Sequence, residues 1–163
     1  MILEYYLIRG KPPTRANPSD AGLDLYWNPD EDRKKAYLTN IVGKMLVQPG
    51  ESIALQTGIK VAVPHGYMLE IKNRSSMAAK KSLLVGACVV DSGYEGEIFV
   101  NLHNVGKRCE VLPIGFKIAQ AVLIPVVHFR PKAVTSEKEL YEAYPITISN
   151  RGEGALGSTD VES

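Results

Sequence analysis

Short hydrophobic segments separated by turn residues dominate the sequence from residue 1 to residue 127 and leave little room for helices. Most segments are a few residues long and rich in β-branched or aromatic residues, which is typical of strands. We predict strands at 2–8, 22–26, 52–57, 59–63, 67–72, 98–103 and 117–127, with a turn at Pro64-His65-Gly66. The last segment is almost wholly apolar after Gln120, so we expect it to be buried on both faces. So many short strands predict an all-β domain folded as a jelly roll or distorted barrel.

Three other segments complete the predicted organisation. Ser136 and Glu139 have the spacing of a capping box and predict a helix of one or two turns, and a second short helix is expected near 76–81. Residues 28–44 are polar with mixed charges and are predicted to be an exposed insertion loop. We therefore predict a β-barrel domain at 1–149, followed by a flexible glycine- and serine-rich arm at 150–163.

Composition excludes several classes of protein. The formal net charge of +1 provides no broad positive field, so we expect no direct nucleic-acid binding. No apolar run approaches the roughly 20 residues of a membrane-spanning helix, so no membrane association is expected. Cys88 and Cys109 lack the paired spacing of a zinc or redox motif, which predicts free thiols and a cytoplasmic protein, or one in the host cytoplasm if the protein is viral.

Two segments in the first half carry polar residues that could bind a cation or an oxyanion. Asp24 lies inside an apolar strand, where it must be exposed, paired or bound to a cation, and an edge strand with Asp24 in solvent is the simpler alternative. Arg74, Ser75 and Ser76 follow a strand end, where an arginine and two hydroxyls can hold an oxyanion. A turn with an exposed cation and a helix cap explains the second segment equally well.

Two later segments also combine glycines with chemically useful side chains. An apolar strand delivers Asp91 to its end, and Tyr94 follows three residues later, although an ordinary β-turn explains the same pattern. The tail at 152–157 matches the glycine spacing of a dinucleotide-binding motif but lacks the flanking strand and helix. Its glycine N–H groups, with Arg151, could still bind phosphate oxygens, and a disordered tail is the alternative.

These four segments, together with residues 115–120, occur in the order and approximate spacing of the five motifs of the trimeric dUTPase family. The resemblance spans residues 21–159. It implies hydrolysis of dUTP to dUMP and pyrophosphate with Mg²⁺, which limits uracil incorporation into DNA and supplies dUMP for dTMP synthesis. It also implies a homotrimer in which each active site draws residues from all three subunits.

The resemblance assigns a role to each matching residue. Asp24 would bind Mg²⁺ through water, and Asp91 would be the general base that deprotonates the water attacking the α-phosphorus in line. Tyr94 would pack beneath the deoxyribose, while backbone groups around Gly86 and Val90 pair with uracil. The phosphate chain would be held by Arg74, Ser75, Ser76 and Gln120.

The arm would complete the site. The resemblance places Arg151 at the γ-phosphate, and Leu156 occupies the position where an aromatic residue usually stacks on uracil. This departure should weaken stacking. The residues expected to close over the ligand are Gly154, Gly157, Ser158 and Thr159.

Other functions compete with this interpretation. A dCTP deaminase resembles the chain around 90–104, but it requires a catalytic glutamate where Asn101 stands, and an amide cannot shuttle protons. A regulatory protein acting through the 28–44 insertion is a second alternative. A zinc hydrolase is disfavoured because the histidines are scattered, and no nucleophile-elbow sequence surrounds any serine. The three histidines are His65, His103 and His128.

Overall fold

The computed structural model describes residues 2–37 and 43–142, and the structural statements below refer to these ranges. The chain divides into two compact units, Met1–His128 and Phe129–Ser163. The first unit contains all of the described strands. Residues 150–163 lie outside the described ranges, so the separate arm stays a prediction.

The first unit is an antiparallel β-structure, which confirms the all-β, jelly-roll-like prediction. Its strands are β1 (Glu4–Leu7), β2 (Leu23–Tyr26), β3 (Lys44–Val47), β4 (Ser52–Gln56), β5 (Ile59–Ala62), β6 (Tyr67–Lys72), β7 (Leu83–Val85), β8 (Val89–Val90), β9 (Phe99–Asn104), β10 (Glu110–Pro113) and β11 (Lys117–Pro125). These described strands form four sheets with the orders β1-β5, β10-β3, β2-β11-β6-β8 and β4-β9-β7. Two helices, α1 (Glu31–Tyr37) and α2 (Ser75–Lys81), accompany them.

The inward faces of the strands supply the hydrophobic core. In β9, Val100 and Leu102 are fully buried, while Asn101 and His103 alternate with them on the outer face. Burying a side chain of leucine size contributes about 1.5–3 kcal/mol. The largest buried side chains include Trp27, Leu25, Met45, Leu55, Ile59, Leu69, Ile71, Met77, Leu83, Ile98, Leu102 and Leu112.

The predicted strand, turn and strand at 59–72 are all present, but the two strands belong to different sheets. β5 pairs with β1, whereas β6 pairs with β11 and β8. The turn between them contains Gly66 at φ +85°, a conformation that glycine adopts at little cost. This turn therefore carries the chain from one sheet to another.

β11 lies in the middle of the largest sheet, and its two halves differ in burial. Ile118 and Ala119 are fully buried, but Val122, Leu123 and Ile124 are only partly buried. The prediction of burial on both faces is therefore wrong for the second half of this strand.

The insertion at 28–44 is not simply an exposed loop, so that prediction is wrong for its first part. Asn28 and Pro29 are buried, and α1 follows directly. Asp30 caps this helix, because its Oδ1 accepts a hydrogen bond from the backbone N–H of Arg33 at 2.8 Å. Acidic residues in the first turn and basic residues in the last turn complement the helix dipole. Residues 38–42 lie outside the described ranges.

The second unit contains the predicted capped helix, α3 (Glu137–Glu142). The Ser136 Oγ accepts a hydrogen bond from the backbone N–H of Glu139 at 3.2 Å, which confirms the cap. The Glu139 carboxylate accepts a hydrogen bond from the backbone N–H of Thr135 at 3.0 Å, one residue before the expected partner.

Candidate active site

Strand register gathers several of the predicted phosphate-binding residues at one end of the largest sheet. Gln120 on β11 lies opposite Asp24 on one side and opposite Lys72 on the other. The chain leaves β6 at Lys72 and reaches Arg74 two residues later. Asp24, Arg74 and Gln120 border a cleft of about 310 Å³, which we call the phosphate cleft. It is lined by Ala16, Asp20, Ala21, Gly22, Asp24, Arg74, Ser75 and Gln120.

Asp24 is buried and paired with two cations. Its Oδ1 accepts a hydrogen bond from Arg74 Nε at 2.8 Å, and its Oδ2 accepts one from Lys117 Nζ at 2.7 Å. The bond to Asp24 raises the pKa of Lys117. The alternative in which Asp24 lies in solvent is therefore wrong, since a double ion pair compensates its burial.

Lys117 is a site residue for which the sequence predicted no role. A register shift between Lys117 and Ala119 interrupts the pairing of β11 with β2. Bulges of this kind redirect side chains and are common beside functional sites. The only signal in the sequence is the position of Lys117 within residues 115–120.

Two further contacts shape the phosphate cleft. Gln120 Nε2 donates a hydrogen bond to the Asn73 carbonyl at 2.8 Å, which fixes the amide beside Arg74. A Cβ atom added to Gly22 would lie 2.0 Å from Gln120 Oε1, so a side chain at this position would displace the Gln120 amide. Arg74 Nη1 lies 3.4 Å from Ser76 Oγ, so Ser76 contacts the cleft through Arg74.

A second pocket of about 210 Å³ lies at the predicted catalytic hairpin, and we call it the hairpin pocket. Asp91 is exposed at its rim, directly after β8. The backbone N–H of Tyr94 donates to the Asp91 carbonyl at 3.2 Å, so the turn predicted by the simpler interpretation is also present. The lining is mostly apolar, which suits a flat ring: Ile71, Ala87, Cys88, Val89, Val90, Asp91, Tyr94, Glu97, Ile98 and Phe99.

The residues predicted to pair with uracil through their backbones differ in placement. Val90 lines the hairpin pocket and lies opposite Leu69 in the pairing of β8 with β6. Gly86 is not among the lining residues, and its N–H donates to the Asn101 carbonyl at 2.9 Å. Ala87 and Cys88, which the sequence did not single out, line the pocket instead.

The two pockets share no lining residue within this chain. Val90 lies opposite Leu69, and the strands are antiparallel, so the next residue, Asp91, lies near Met68 at the start of β6. Arg74 follows the opposite end of β6. Six residues at about 3.3 Å each separate these two positions by roughly 20 Å. One subunit therefore does not bring Asp91 next to its own phosphate cleft.

The predicted arm residues lie outside the described ranges. They are Arg151, Gly154, Leu156, Gly157, Ser158 and Thr159.

The phosphate cleft offers Mg²⁺ few carboxylate ligands. Across residues 2–37 and 43–142, no three His, Cys, Asp or Glu side chains converge as a metal site would require. Asp20 and Asp24 nevertheless line the phosphate cleft. Mg²⁺ keeps several waters and binds through one or two carboxylates plus substrate phosphates. The cleft fits an ion that arrives with a triphosphate and contacts the protein through water.

The histidines and cysteines are the other reactive side chains of the described residues, and of these Cys88 lines the hairpin pocket. The rings of His65 and His128 stack with centroids 4.9 Å apart. His103 Nε2 lies 2.8 Å from Asn101 Oδ1, on the outer face of β9. Cys88 and Cys109 are free thiols, as predicted. None of the helices in the described ranges combines the length and hydrophobicity needed to cross a bilayer.

Comparison with known proteins identifies the family. A family model described as dUTPase matches residues 9–159. The chain belongs to the dUTPase family. A deoxyuridine 5'-triphosphate nucleotidohydrolase from Anaplasma marginale (strain St. Maries) is 37% identical over 153 residues, which cover 90% of this chain and 87% of that protein.

Solved structures show the same dUTPase fold. A dUTPase from Staphylococcus bacteriophage 80alpha, solved with dUpNHpp, has a TM-score of 0.72 at 22% identity and covers 98% of this chain and 99% of its own. A dUTPase from phage phi11 of S. aureus, whose structure reveals the coordination of a structural Mg(II) ion, has a TM-score of 0.68 at 21% identity. That match covers 83% of this chain and 98% of the phage protein.

Membership of the dUTPase family disfavours the deaminase alternative. The position that would need a catalytic glutamate is Asn101, whose Oδ1 is bonded to His103 and lies 3.4 Å from the Ala87 backbone nitrogen. An amide held in this way offers no proton shuttle.

Proposed function

We propose that this member of the dUTPase family hydrolyses dUTP to dUMP and pyrophosphate. The observation that carries the proposal is the family match over residues 9–159, within which the motif residues border two pockets of suitable chemistry. The reaction would limit uracil incorporation into DNA and supply dUMP for dTMP synthesis. The expected site of action is the cytoplasm.

Asp91 is the proposed general base. Its exposed position at the rim of the hairpin pocket leaves the carboxylate open to a water molecule. Asp91 would accept a proton from that water as it attacks the α-phosphorus in line, and pyrophosphate would leave on the opposite side. General-base catalysis of this kind contributes about 10² to 10⁴ in rate.

The phosphate cleft is the proposed site for the triphosphate. Arg74, Ser75, Ser76 and Gln120 would donate hydrogen bonds to phosphate oxygens. Asp24 would hold Mg²⁺ through water, and when bound the ion would neutralise phosphate charge.

The hairpin pocket is the proposed site for the nucleoside. Its apolar lining suits uracil, whose polar edge would pair with backbone groups around Gly86 and Val90. Tyr94 would pack beneath the deoxyribose and leave no room for a 2'-hydroxyl. The arm would then close over the ligand, with Arg151 at the γ-phosphate and Leu156 over the base, and its remaining contacts would come from Gly154, Gly157, Ser158 and Thr159.

A homotrimer with shared active sites is the proposed assembly. The distance of roughly 20 Å between Asp91 and Arg74 in one chain supports active sites shared between subunits, because catalysis requires the two residues to meet at one nucleotide. The hairpin of one subunit would then complete the phosphate cleft of another. A regulatory role of residues 28–44 stays a prediction.

Pyrophosphate release tests the proposed function. We expect the protein with Mg²⁺ to hydrolyse dUTP in preference to UTP, dCTP and dTTP. Asp91→Asn should lower the dUTP rate by about 10² to 10⁴ while dUTP still binds, because only proton abstraction is lost. Glu95→Gln, which neutralises another exposed carboxylate of the same hairpin, is the control and should keep most of the activity. Ammonia release from dCTP would instead establish a deaminase.

A further inference from the structure

Tyr94 folds back over its own hairpin and is held at both ends. Its backbone N–H donates to the Asp91 carbonyl at 3.2 Å, and its hydroxyl donates to the Glu97 carbonyl at 3.0 Å. The residue is 46% exposed and forms part of the hairpin pocket lining. The ring thus forms one wall of the proposed nucleoside site.

Gly96 lies directly beneath this ring. A Cβ atom added at Gly96 would lie 2.2 Å from the Tyr94 hydroxyl oxygen and 2.4 Å from ring carbon Cζ. Such distances are far inside van der Waals contact, so the ring would have to move. Gly96 is not among the glycines with positive φ, so alanine would not strain the backbone. The obstacle to a side chain at this position is the Tyr94 ring.

Glu97, whose carbonyl accepts the hydrogen bond from the Tyr94 hydroxyl, is itself held in place by side-chain contacts. Glu97 Oε1 accepts a hydrogen bond from the Gly58 N–H at 2.8 Å and pairs with the Arg9 guanidinium. Arg9 Nε in turn donates to the Asn28 carbonyl at 2.8 Å. The Glu97 side chain is only 13% exposed. The ring therefore rests on a part of the hairpin that is fixed to two other segments.

We infer that Gly96 is a positioning residue that sets sugar specificity through Tyr94. The missing side chain at Gly96 lets the ring lie flat against the hairpin, where it would occupy the space of a ribose 2'-hydroxyl. A methyl group at Gly96 lifts the ring and opens that space. This inference rests on the proposed function, because it takes the deoxyribose to lie against Tyr94.

The test compares kcat/KM for dUTP and UTP in four proteins: the parent, Gly96→Ala, Tyr94→Ala and Tyr94→Phe. Gly96→Ala should lower the preference for dUTP by about 10-fold or more, since excluding one small group in a pocket is worth roughly 10- to 200-fold. Tyr94→Ala should lower it to a similar level. Tyr94→Phe keeps the ring and loses one hydrogen bond, so it should keep the preference within about 10-fold of the parent.

A double variant separates positioning from a general loss of structure. In the Tyr94→Ala background, Gly96→Ala should change the preference no further, because there is no ring left to displace. Additive losses would overturn the inference. Gly106→Ala is the matched control, since its Cβ would also collide, at 2.8 Å with Ser82, but at the turn between β9 and β10. This control should leave the ratio unchanged.

A crystal structure of Gly96→Ala without nucleotide tests the geometry independently of activity. The Tyr94 ring should have moved away from residue 96, and a ring in its original place would overturn the inference. Failure of the parent to hydrolyse dUTP would instead overturn the proposed function. In that case, the position of the Tyr94 ring in the Gly96→Ala crystal structure would still test whether Gly96 positions Tyr94.

Discussion

Asp24 bonds to two cations that come from different parts of the fold and would otherwise repel each other. Arg74 follows β6, and Lys117 is brought into range by the bulge in β11. The carboxylate therefore has a structural role in addition to its proposed contact with hydrated Mg²⁺. Both roles predict that neutralising it harms the protein, but only the structural role predicts a loss of stability without nucleotide.

Asp24→Asn should lower the free energy of unfolding by about 1–2 kcal/mol, because Arg74 and Lys117 lose their shared counter-ion while remaining partly exposed to solvent. Urea unfolding of the nucleotide-free protein measures this change, and added salt should reduce it. Asp20→Asn is the control, since the Asp20 carboxylate bonds to Asn17 in an exposed turn. Equal effects of the two substitutions would contradict the structural role.

At the same scale, sequence motifs identified most of the candidate residues but not their contacts. The order of the motifs indicated Asp24, Arg74, Asp91 and Gln120 without any knowledge of the fold. Lys117 was missed because its contact depends on a bulge, which arises from pairing between distant segments.

Among the elements, the hydrophobic pattern predicted most of the described strands but missed β3, β7 and β10, and it did not predict how the strands pair into sheets. The alternation of apolar and polar residues identifies β9 from the sequence, and the capping box identifies α3. The separation of β5 from β6 could not be predicted, since a short turn normally joins strands that pair. Helix α1 was missed because the sequence at 31–37 has no apolar stripe, and local capping alone signals it.

The cap of α1 provides a pH-dependent prediction. Hydrogen bonds from the Gln56 side chain and the Arg33 N–H hold the pKa of Asp30 below its ordinary value of 3.8. A depressed carboxyl pKa adds stability that is full above the unfolded pKa and is lost as pH falls through the folded pKa. The contribution of Asp30 should therefore be complete at neutral pH and fade below pH 3.8.

Asp30→Ala should lower the thermal unfolding temperature at pH 7, and the difference from the parent should shrink as the pH falls below 3.8 and the parent carboxylate becomes protonated. Thermal unfolding followed by circular dichroism measures both conditions. Asp32→Ala serves as the control, because Asp32 shares the favourable end of the helix dipole but not the cap position. A difference that stays constant with pH would show that the charge of Asp30 is not responsible.

For the whole molecule, the distance between the hairpin pocket and the phosphate cleft determines what an isolated chain can do. If subunits share sites, two inactive variants with different defects should restore each other. Asp91→Asn retains its phosphate cleft. Arg74→Ala retains its hairpin, and Lys117 can still pair with Asp24 in that variant.

Co-expressed Asp91→Asn and Arg74→Ala chains should regain activity at about a quarter of the sites of randomly assorted trimers, because a site built from two chains can draw an intact half from each. Pyrophosphate release from dUTP by the mixture, compared with each variant alone, measures this recovery. Co-expression of Asp91→Asn with the double variant Asp91→Asn/Arg74→Ala should recover nothing. A fully active monomer by light scattering would contradict the shared site.

The ion pair between Arg9 and Glu97 has a practical consequence for handling the protein. It joins the segment just after β1 to the base of the hairpin that carries Asp91, the proposed general base, so the amino-terminal segment is linked to that hairpin. Trimming the chain past Arg9, or pulling on it with a bulky affinity tag, would loosen Glu97 and the turn above it. A difference in turnover between tagged and untagged preparations would then reflect whether the ion pair between Arg9 and Glu97 is intact.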